Sequence, residues 1–337
     1  MSDNKNSESM ELVSMENTEV ASSEDTSIDE MFAIELSRPT SKQISYIPSF
    51  FTTASLPFRN VNKTVFVRKG SNGIILTLTS PKNVPFGKYG RLLLSLLTTH
   101  AVISTQKDSP VYLEYATLSD LLKEMQLPKQ RGGDIKEQLE CFSNATFMFE
   151  QSIRELKAAY LFEDMYDKGS APKGDVTVTT RSTGNIRFTE GVQYMEVDDG
   201  NDTRFGRFKI ILSAEFARFC QAHAVPIDYS VYKDISSASG KDLYAWLVYR
   251  NNGLEKPLFV PRKKLVEQFM PTDENSNRSQ ESVNYKRLID ELKEIKEKYY
   301  PEVKFTISPD GSGITLYKSP TPVLKDDKRY ALITANI

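Results

Sequence analysis

The alternation of apolar and polar residues predicts a β-hairpin at the start of the ordered chain. Between Val61 and Thr79 the segment TVFVRKGSNGIILTLT alternates, and Gly70, Asn72 and Gly73 interrupt it. Alternation places successive side chains on the two faces of a strand, and glycine and asparagine are typical of the turn that joins two strands. The hairpin therefore marks the entry to the first folded domain.

Three helical segments are predicted after the hairpin. PFGKYGRLLLSLLTTHAVIST places leucines at helical spacing after Pro85, and TLSDLLKEMQLPK begins with a Thr or Ser cap and ends before Pro128. DIKEQLECFSNA has Ile135, Leu139 and Phe142 at the same spacing, and TFMFEQS after it alternates like a strand. The order helix, helix, turn, helix, strand is typical of a winged-helix unit, whose third helix lies in the major groove.

The middle of the chain is predicted to form an extended antiparallel wing. The segments DVTVTTRSTGNIRFTEGVQYMEVDDG and RFGRFKIIL alternate, and the Gly184-Asn185 pair predicts a turn between two strands. A short helix and a connector, at about residues 210–235, lead to the second half of the chain.

The same order of elements then repeats, which is the most informative feature of the organisation. GKDLYAWLVYRNNG predicts a buried first helix, VPRKKLVEQFM a second and ESVNYKRLIDELKEIKEKYYP a third, and VKFTISPDGSGITLYKS predicts a hairpin around Asp310-Gly311. The residues expected on apolar faces of the first and third of these helices are Leu243, Trp246, Leu247, Tyr249, Val283, Ile289, Leu292, Ile295 and Tyr299.

The predicted fold is therefore α+β, with two tandem winged-helix domains, each a helix-turn-helix plus a β-hairpin. We predict a disordered acidic tail over 1–45, because this segment is rich in Ser, Glu, Asn and Thr. The N-terminal winged-helix domain with its extended β-hairpin is predicted over 46–210, the C-terminal winged-helix domain over 211–325 and a C-terminal tail over 326–337.

The charge distribution favours a nucleic-acid partner more than the net charge of −2 suggests. Residues 1–36 contain ten acidic side chains and one basic side chain, so the tail carries −9 and the rest of the chain +7. A mildly basic body is suited to nucleic acid. The tail is interpreted as solubilising, with competition against DNA for basic surface as the alternative.

Scarce cysteine and histidine argue against metal and thiol chemistry. Cys141 and Cys220 are predicted to be buried free thiols in a reducing compartment, and His100 and His223 are too far apart in sequence to suggest a metal centre. The chain has no apolar run of membrane-spanning length and no secretory signal pattern, so a cytoplasmic location without membrane contact is expected.

No catalytic constellation is recognised, and we expect a protein that is not an enzyme and has no metal or cofactor. Gly240-Lys241 resembles the end of a phosphate-binding loop, but the glycine needed five residues before Gly240 is Ile235, so a capped helix start explains the pair better. A rolling-circle nickase would need paired histidines beside a tyrosine. An enzyme acting on nucleic acid is therefore the least favoured alternative.

The last long helix offers candidate base-reading side chains. At about 100° per residue, Gln280, Asn284, Arg287, Glu291 and Lys298 fall broadly opposite the apolar stripe. Gln and Asn can pair with adenine and Arg with guanine, while cations near helix starts and beside the wing can bind phosphate. The candidate DNA-binding residues of this domain are Arg262, Lys263, Lys264, Arg278, Gln280, Asn284, Lys286, Arg287, Lys304 and Lys318. The alternative is a merely solvated face, since the helix also carries glutamates.

The first domain offers fewer candidates. We expect Lys129, Gln130, Arg131 and Lys136 to contact DNA, with the adjacent Gly132 and Gly133 allowing close backbone approach. Acidic neighbours weaken this set, so the second domain is expected to carry more of the base recognition and the first to add phosphate contacts or a dimer surface.

Several segments resemble the plasmid-encoded RepA-type replication initiators. They are VPFGKYGRLLLSLLTTHAV, QRGGDIKEQLECFSNATFMF, IILSAEFARFCQAHAVPIDYSVYKDI and GKDLYAWLVYRNN, within roughly residues 56–270. The resemblance is densest at PFGKYGRLLL and DLYAWLVYR, which are mainly core motifs. The chain departs from the commoner family pattern at Lys88-Tyr89-Gly90 and His100.

The resemblance implies a protein that binds directly repeated sites in double-stranded origin DNA, helps to open the duplex and recruits the host initiator and the replicative helicase. It also implies that dimers repress the protein's own promoter while monomers act at the origin. A winged-helix transcriptional regulator without an origin role shares every physical feature above and is the main alternative.

Overall fold

The computed structural model describes residues 43–70, 73–106, 108–158, 175–198, 203–270, 278–323 and 331–332. By contacts within the chain, Ser41–Ile337 form one compact unit. The described residues all belong to this unit. The predicted acidic tail falls outside the described residues up to position 42.

The fold is α+β, as the sequence predicts. The helices within the described residues are α1 (Ser49–Thr53), α2 (Gly87–Ile103), α3 (Leu118–Glu124), α4 (Gly132–Ser143), α5 (Ala214–His223), α6 (Tyr229–Asp234), α7 (Ala238–Asn252), α8 (Arg262–Phe269) and α9 (Arg278–Glu294). A 3₁₀ turn, Lys129–Arg131, precedes α4, and a π-helical turn, Ile295–Tyr299, extends α9.

The strands form small sheets. Their bounds are β1 (Gln43–Pro48), β2 (Val65–Lys69), β3 (Ile74–Thr79), β4 (Val111–Tyr115), β5 (Thr146–Ala158), β6 (Asp175–Arg187), β7 (Thr189–Asp198), β8 (Thr203–Leu212), β9 (Ala224–Asp228), β10 (Leu258–Pro261), β11 (Phe305–Ile307), β12 (Gly313–Leu316) and β13 (Ala331–Leu332). The sheet orders are β13-β1-β9, β2-β3-β5-β6, β4-β8-β7 and β10-β12-β11. The antiparallel pair β2 and β3 confirms the predicted first hairpin.

Two segments of the chain share one order of elements. The first repeat consists of α2, β4, α3, α4, β7 and β8, and the second of α7, β10, α8, α9, β11 and β12. In both, the last strand lies between the other two, in the sheets β4-β8-β7 and β10-β12-β11. The sequence pattern predicted the repetition but missed the short strand that follows the first helix in each copy.

Two helices begin at the capping residues that the sequence indicates. Thr117 and Asp120 form a capping box at α3, in which the Thr117 Oγ1 accepts from the Asp120 N–H at 3.3 Å. At α7, the Ser237 Oγ accepts from the Gly240 N–H at 2.9 Å. The capped start expected around Gly240 is thus present.

The predicted turn at Gly184-Asn185 is wrong. Both residues lie inside β6, where they pair with Phe149 and Met148 of β5. Continuous pairing along β5 satisfies the backbone of this segment, and this outweighs the turn preference of its residues. The chain instead changes sheets at Phe188, whose buried side chain lies between β6 and β7.

Two further expectations about burial are also wrong. Val283 was expected in the apolar stripe of α9 but is 60% exposed, and Tyr249 of α7 is also exposed. Gly132 and Gly133 were expected in the short turn before the third helix, but they form the first turn of α4. A Cβ at Gly132 would come within 3.3 Å of the Leu118 side chain, so this glycine permits close packing of α4 on α3.

One continuous apolar core runs through both repeats. It includes Leu93 and Leu97 of α2, Leu243 and Trp246 of α7, and Leu292 of α9. Residues on both sides of the predicted boundary at 210 and 211 belong to it, and the boundary itself stays a prediction. Cys141 and Cys220 are buried free thiols, and burial raises the pKa of Cys141 to about 11.

A buried ion pair joins the first helices of the two repeats. Arg91 of α2 and Asp242 of α7 are almost completely buried, with Nε donating to Oδ1 at 2.6 Å and Nη2 to Oδ2 at 2.7 Å. The remaining donors of Arg91 reach the carbonyl oxygens of Leu56, Pro57 and Gly87 at 2.7, 3.0 and 2.9 Å. All five N–H groups of the guanidinium are therefore paired, which offsets the cost of burying the charge.

We expect Arg91→Met to lower the free energy of unfolding by about 3–5 kcal/mol, because it leaves the Asp242 carboxylate buried without its cation. Urea unfolding measures the change. Arg218→Met is the matched control, since Arg218 is also a helical arginine paired with an aspartate, Asp108, at 3.0 Å, but on the surface. The control should cost at most about 1 kcal/mol. Similar losses in the two variants would contradict the special role of the buried pair.

Lys241 is buried next to this pair. Its Nζ donates to the carbonyl oxygens of Tyr232 and Lys233 at the end of α6, at 3.2 Å for Lys233. Burial, helped by the positive charges of Lys88 and Arg91, lowers the pKa of Lys241 to about 7, against the opposing effect of Asp234 and Asp242. Its ordinary pKa is 10.5, so the folded protein favours the neutral amine.

The depressed pKa of Lys241 predicts that stability rises with pH above 7. There the unfolded chain keeps this lysine protonated while the folded chain releases the proton, so the unfolded state binds more protons. Up to about pH 8.5, where free thiols begin to titrate, the rise should approach about 1 kcal/mol per pH unit. Urea unfolding at several pH values in this range measures how the free energy of unfolding depends on pH. This dependence should be weaker in Lys241→Met than in the native protein. An unchanged pH dependence in that variant would contradict the assignment.

Candidate nucleic-acid interface

Helix α9 presents one face to the core and another outward. Its buried side chains include Tyr285, Leu288 and Leu292, which face α7 and α8. Because residues three and four apart share a helix face, the opposite face carries Lys286 and other polar side chains together with the apolar Val283. The exposed polar face expected from the sequence is therefore present, but some of the residues on it differ from those predicted.

Asn284 is not on the exposed face, contrary to expectation. It is 8% exposed, because it lies one turn before the buried Leu288 and next to the buried Tyr285. Gln280 is exposed, and its Nε2 donates to the Asn284 Oδ1 at 3.1 Å. The pair expected to read adenine is thus partly engaged within the helix itself.

Arg287 is exposed, and the mostly buried Glu291 holds its side chain in place. Its side chain is 63% exposed, and its Nε lies 3.6 Å from the Glu291 Oε1. The same carboxylate oxygen accepts from the Ser239 Oγ of α7 at 2.7 Å. Glu291 was expected on the outer face, but it is mostly buried, and burial raises its pKa. Neither Ser239 nor the positioning of Arg287 by Glu291 was predicted from the sequence, since only the packing of α7 on α9 brings these residues together.

A shallow groove runs along the outer face of α9. It is lined by Val283, Lys286, Arg287, Asp290, Glu291 and Glu294. The two cations lie in the middle of α9, and the carboxylates lie toward its C-terminal end. Lys298, in the π-helical turn, pairs with Glu294 at 3.1 Å. The positive charge therefore lies at the end of the groove that is nearer the N-terminus of α9, and the negative charge lies at the other end.

Arg262 is engaged in contacts within the protein. Its Nη2 donates to the Ser282 Oγ at 2.7 Å, its Nε lies 3.3 Å from Glu281, and its guanidinium lies 4.9 Å from the Tyr285 ring centroid. These contacts join the start of α8 to α9. The expectation that Arg262 contacts phosphate stays a prediction, but the structure gives it a clear structural role.

The other candidate cations of the second repeat are exposed where their side chains are described. Lys263 and Lys264 are exposed at the start of α8, within 4.0 and 3.4 Å of Glu267. Lys304 and Lys318 are exposed at the open end of the β11-β12 hairpin. Arg278 begins α9, and its side chain lies outside the described residues.

The first-repeat candidates cluster ahead of α4. Lys129, Gln130 and Arg131 are exposed in the 3₁₀ turn, and Lys136 is half-buried on α4. Arg131 lies 3.5 Å from Asp134, and its guanidinium lies 5.7 Å from the Tyr89 ring centroid. Gly132 packs on α3, whereas a Cβ at Gly133 would meet nothing within 4 Å, and the close approach of DNA expected at these two glycines stays a prediction.

Within the described residues, no His, Cys, Asp and Glu side chains assemble in threes where a metal could bind. His100 Nε2 lies 2.8 Å from the Oε1 of Glu124. The Oε2 of the same carboxylate accepts from the Tyr115 hydroxyl at 2.6 Å. No described helix has the length and apolar character needed to cross a membrane.

Comparisons with known proteins find only distant structural similarity. No protein-family model matches the chain, and no curated protein matches it by sequence. A crystal structure of domains 2 and 3 of RctB aligns with a TM-score of 0.46 at 13% identity, covering 80% of this chain and 98% of that one. A second structure of RctB domains 2–3 gives 0.42 at 12% identity, covering 78% and 92%. Similarity this weak does not assign a function to this chain.

Proposed function

We propose that this protein binds double-stranded DNA in a sequence-specific manner through two winged-helix domains. The observation that carries the proposal is the shared element order of the two repeats, with the same strand arrangement in β4-β8-β7 and β10-β12-β11. In a winged helix, the third helix enters the major groove and the hairpin contacts the backbone. Helices α4 and α9 are the third helices here.

The charges on α9 favour this function. Arg287 is held by Glu291 with its guanidinium exposed, a geometry suited to a bidentate contact with guanine. Lys263 and Lys264 are exposed at the start of α8, and Lys304 and Lys318 beside the hairpin, where they can neutralise phosphates.

We further propose that the protein is a plasmid replication initiator of the RepA type, on the basis of the sequence segments that resemble that family. In this role it binds repeated origin sites, promotes opening of the origin, and recruits the host initiator and the helicase. It represses its own promoter as a homodimer and acts in the cytoplasm. The protein performs no catalysis itself, and metal-dependent strand cleavage by the purified chain would contradict that part.

Arg287→Ala is expected to weaken binding to the specific site by about 1–3 kcal/mol and to relax preference at one base pair, because it removes a base contact. Lys264→Ala should lower affinity for all sequences alike, because it removes a phosphate contact. Titrations of specific and random duplexes at one fixed salt concentration measure both effects.

Arg218→Ala is the matched control for Arg287→Ala. Arg218 is also 63% exposed and paired with a carboxylate, but it lies on α5, outside both third helices. Its replacement should leave both affinities unchanged. Equal losses on specific and random duplexes for Arg287→Ala would overturn the base-reading role.

Footprinting on the DNA around the gene tests the origin role. Protection of several tandem repeats beside an AT-rich stretch is the expected result. Protection of one promoter operator and nothing else would favour the winged-helix transcriptional regulator instead. No protected site in DNA bearing a functional origin would contradict sequence-specific binding.

A further inference from the structure

Val283 occupies the outward face of α9 although it is a branched apolar residue. It is 60% exposed, while Tyr285, Leu288 and Ile289 of the same helix supply the contacts with the core. A valine in this position leaves apolar surface in contact with water and adds little to the stability of the fold. Core packing therefore gives no account of an apolar side chain here.

Val283 has two cations among its neighbours on the outward face of α9, and the carboxylates of this face lie further toward the C-terminal end of the helix. Lys286 and Arg287 follow it by about one turn and line the same groove. The amide of Asn284, the adjacent residue, faces inward. At this level of α9 the outward surface thus combines one apolar side chain with two exposed cations.

We propose that Val283 recognises the 5-methyl group of a thymine in the major groove of the binding site. The inference rests on the proposed function of α9 as a base-reading helix. In the major groove only A·T and T·A pairs present this methyl group, and apolar side chains contact it. Lys286 and Arg287 can hold the helix against the phosphates and an adjacent base. An apolar protein partner would not call for two cations beside the contact.

The test replaces each thymine of the footprinted site, one at a time, with uracil, which keeps the base pairing and removes only the methyl group. At one or two positions the native full-length protein should bind about fourfold more weakly, the loss expected for one buried methyl-sized group. Val283→Ala should bind the thymine site and the uracil site equally, at about the affinity of the native protein for the uracil site. Val283→Ile keeps an apolar group and should still prefer thymine.

Val67→Ala is the matched control, because Val67 is 56% exposed but lies on β2, outside both repeats. It should keep the full preference for thymine, and all variants should unfold at the urea concentration of the native protein. The proposal is overturned if no uracil substitution weakens binding, or if Val283→Ala still distinguishes thymine from uracil. When Arg287→Ala still lowers specific affinity in that experiment, the proposed function stands and only the role of Val283 fails. If the native protein shows no preference for the specific site over random DNA, both the proposed function and the role of Val283 are overturned.

Discussion

The buried pairing of Arg91 with Asp242 is the constraint on which the arrangement of the two repeats depends. It ties the first helix of one repeat to the first helix of the other, with the guanidinium also donating to three backbone carbonyls. Burial of an ion pair is tolerated only when geometry and hydrogen bonds are nearly complete. The pair therefore specifies how α2 and α7 meet, whereas the surrounding leucines supply most of the hydrophobic stabilisation.

The surface of α9 follows from how it packs on α7. Leu288 and Leu292 fix which face turns inward, and Ser239 of α7 holds Glu291, which in turn holds Arg287. Arg262 and Arg287 are the same residue type with different roles. Arg262 is held by Ser282, Glu281 and the Tyr285 ring, and it stabilises the junction of α8 and α9. Arg287 pairs with Glu291 and stays largely exposed, so it is available to a ligand.

The two repeats differ in what is attached to the common order of elements. In the first, the long strands β5 and β6 are inserted between α4 and β7, and β5 pairs with β3 in a separate sheet. In the second, β11 follows the π-helical turn of α9 after a short connection, and the hairpin is compact. The 3₁₀ turn before the third helix of the first repeat also offers less available positive charge, since Arg131 is close to Asp134 and Tyr89. The second repeat is thus the better candidate for base recognition, as the sequence also indicates.

The sequence alone determined the three helices of each repeat, the first and last hairpins, the α+β class and the repetition of the element order, but it did not predict α1 or α6. Those features depend on local periodicity, capping residues and turn residues, such as Thr117 before α3 and Gly311 with its positive φ between β11 and β12. Tertiary structure decided what local pattern could not. Pairing with β5 kept Gly184-Asn185 inside a strand, and packing against α7 and α8 turned Asn284 inward and Val283 outward. The partner of Arg91 lies 151 positions away in the sequence, and it is visible only once the two helices are packed. Side-chain burial and ion pairing depend on which surfaces of the helices and strands meet. The local sequence pattern does not specify those surfaces.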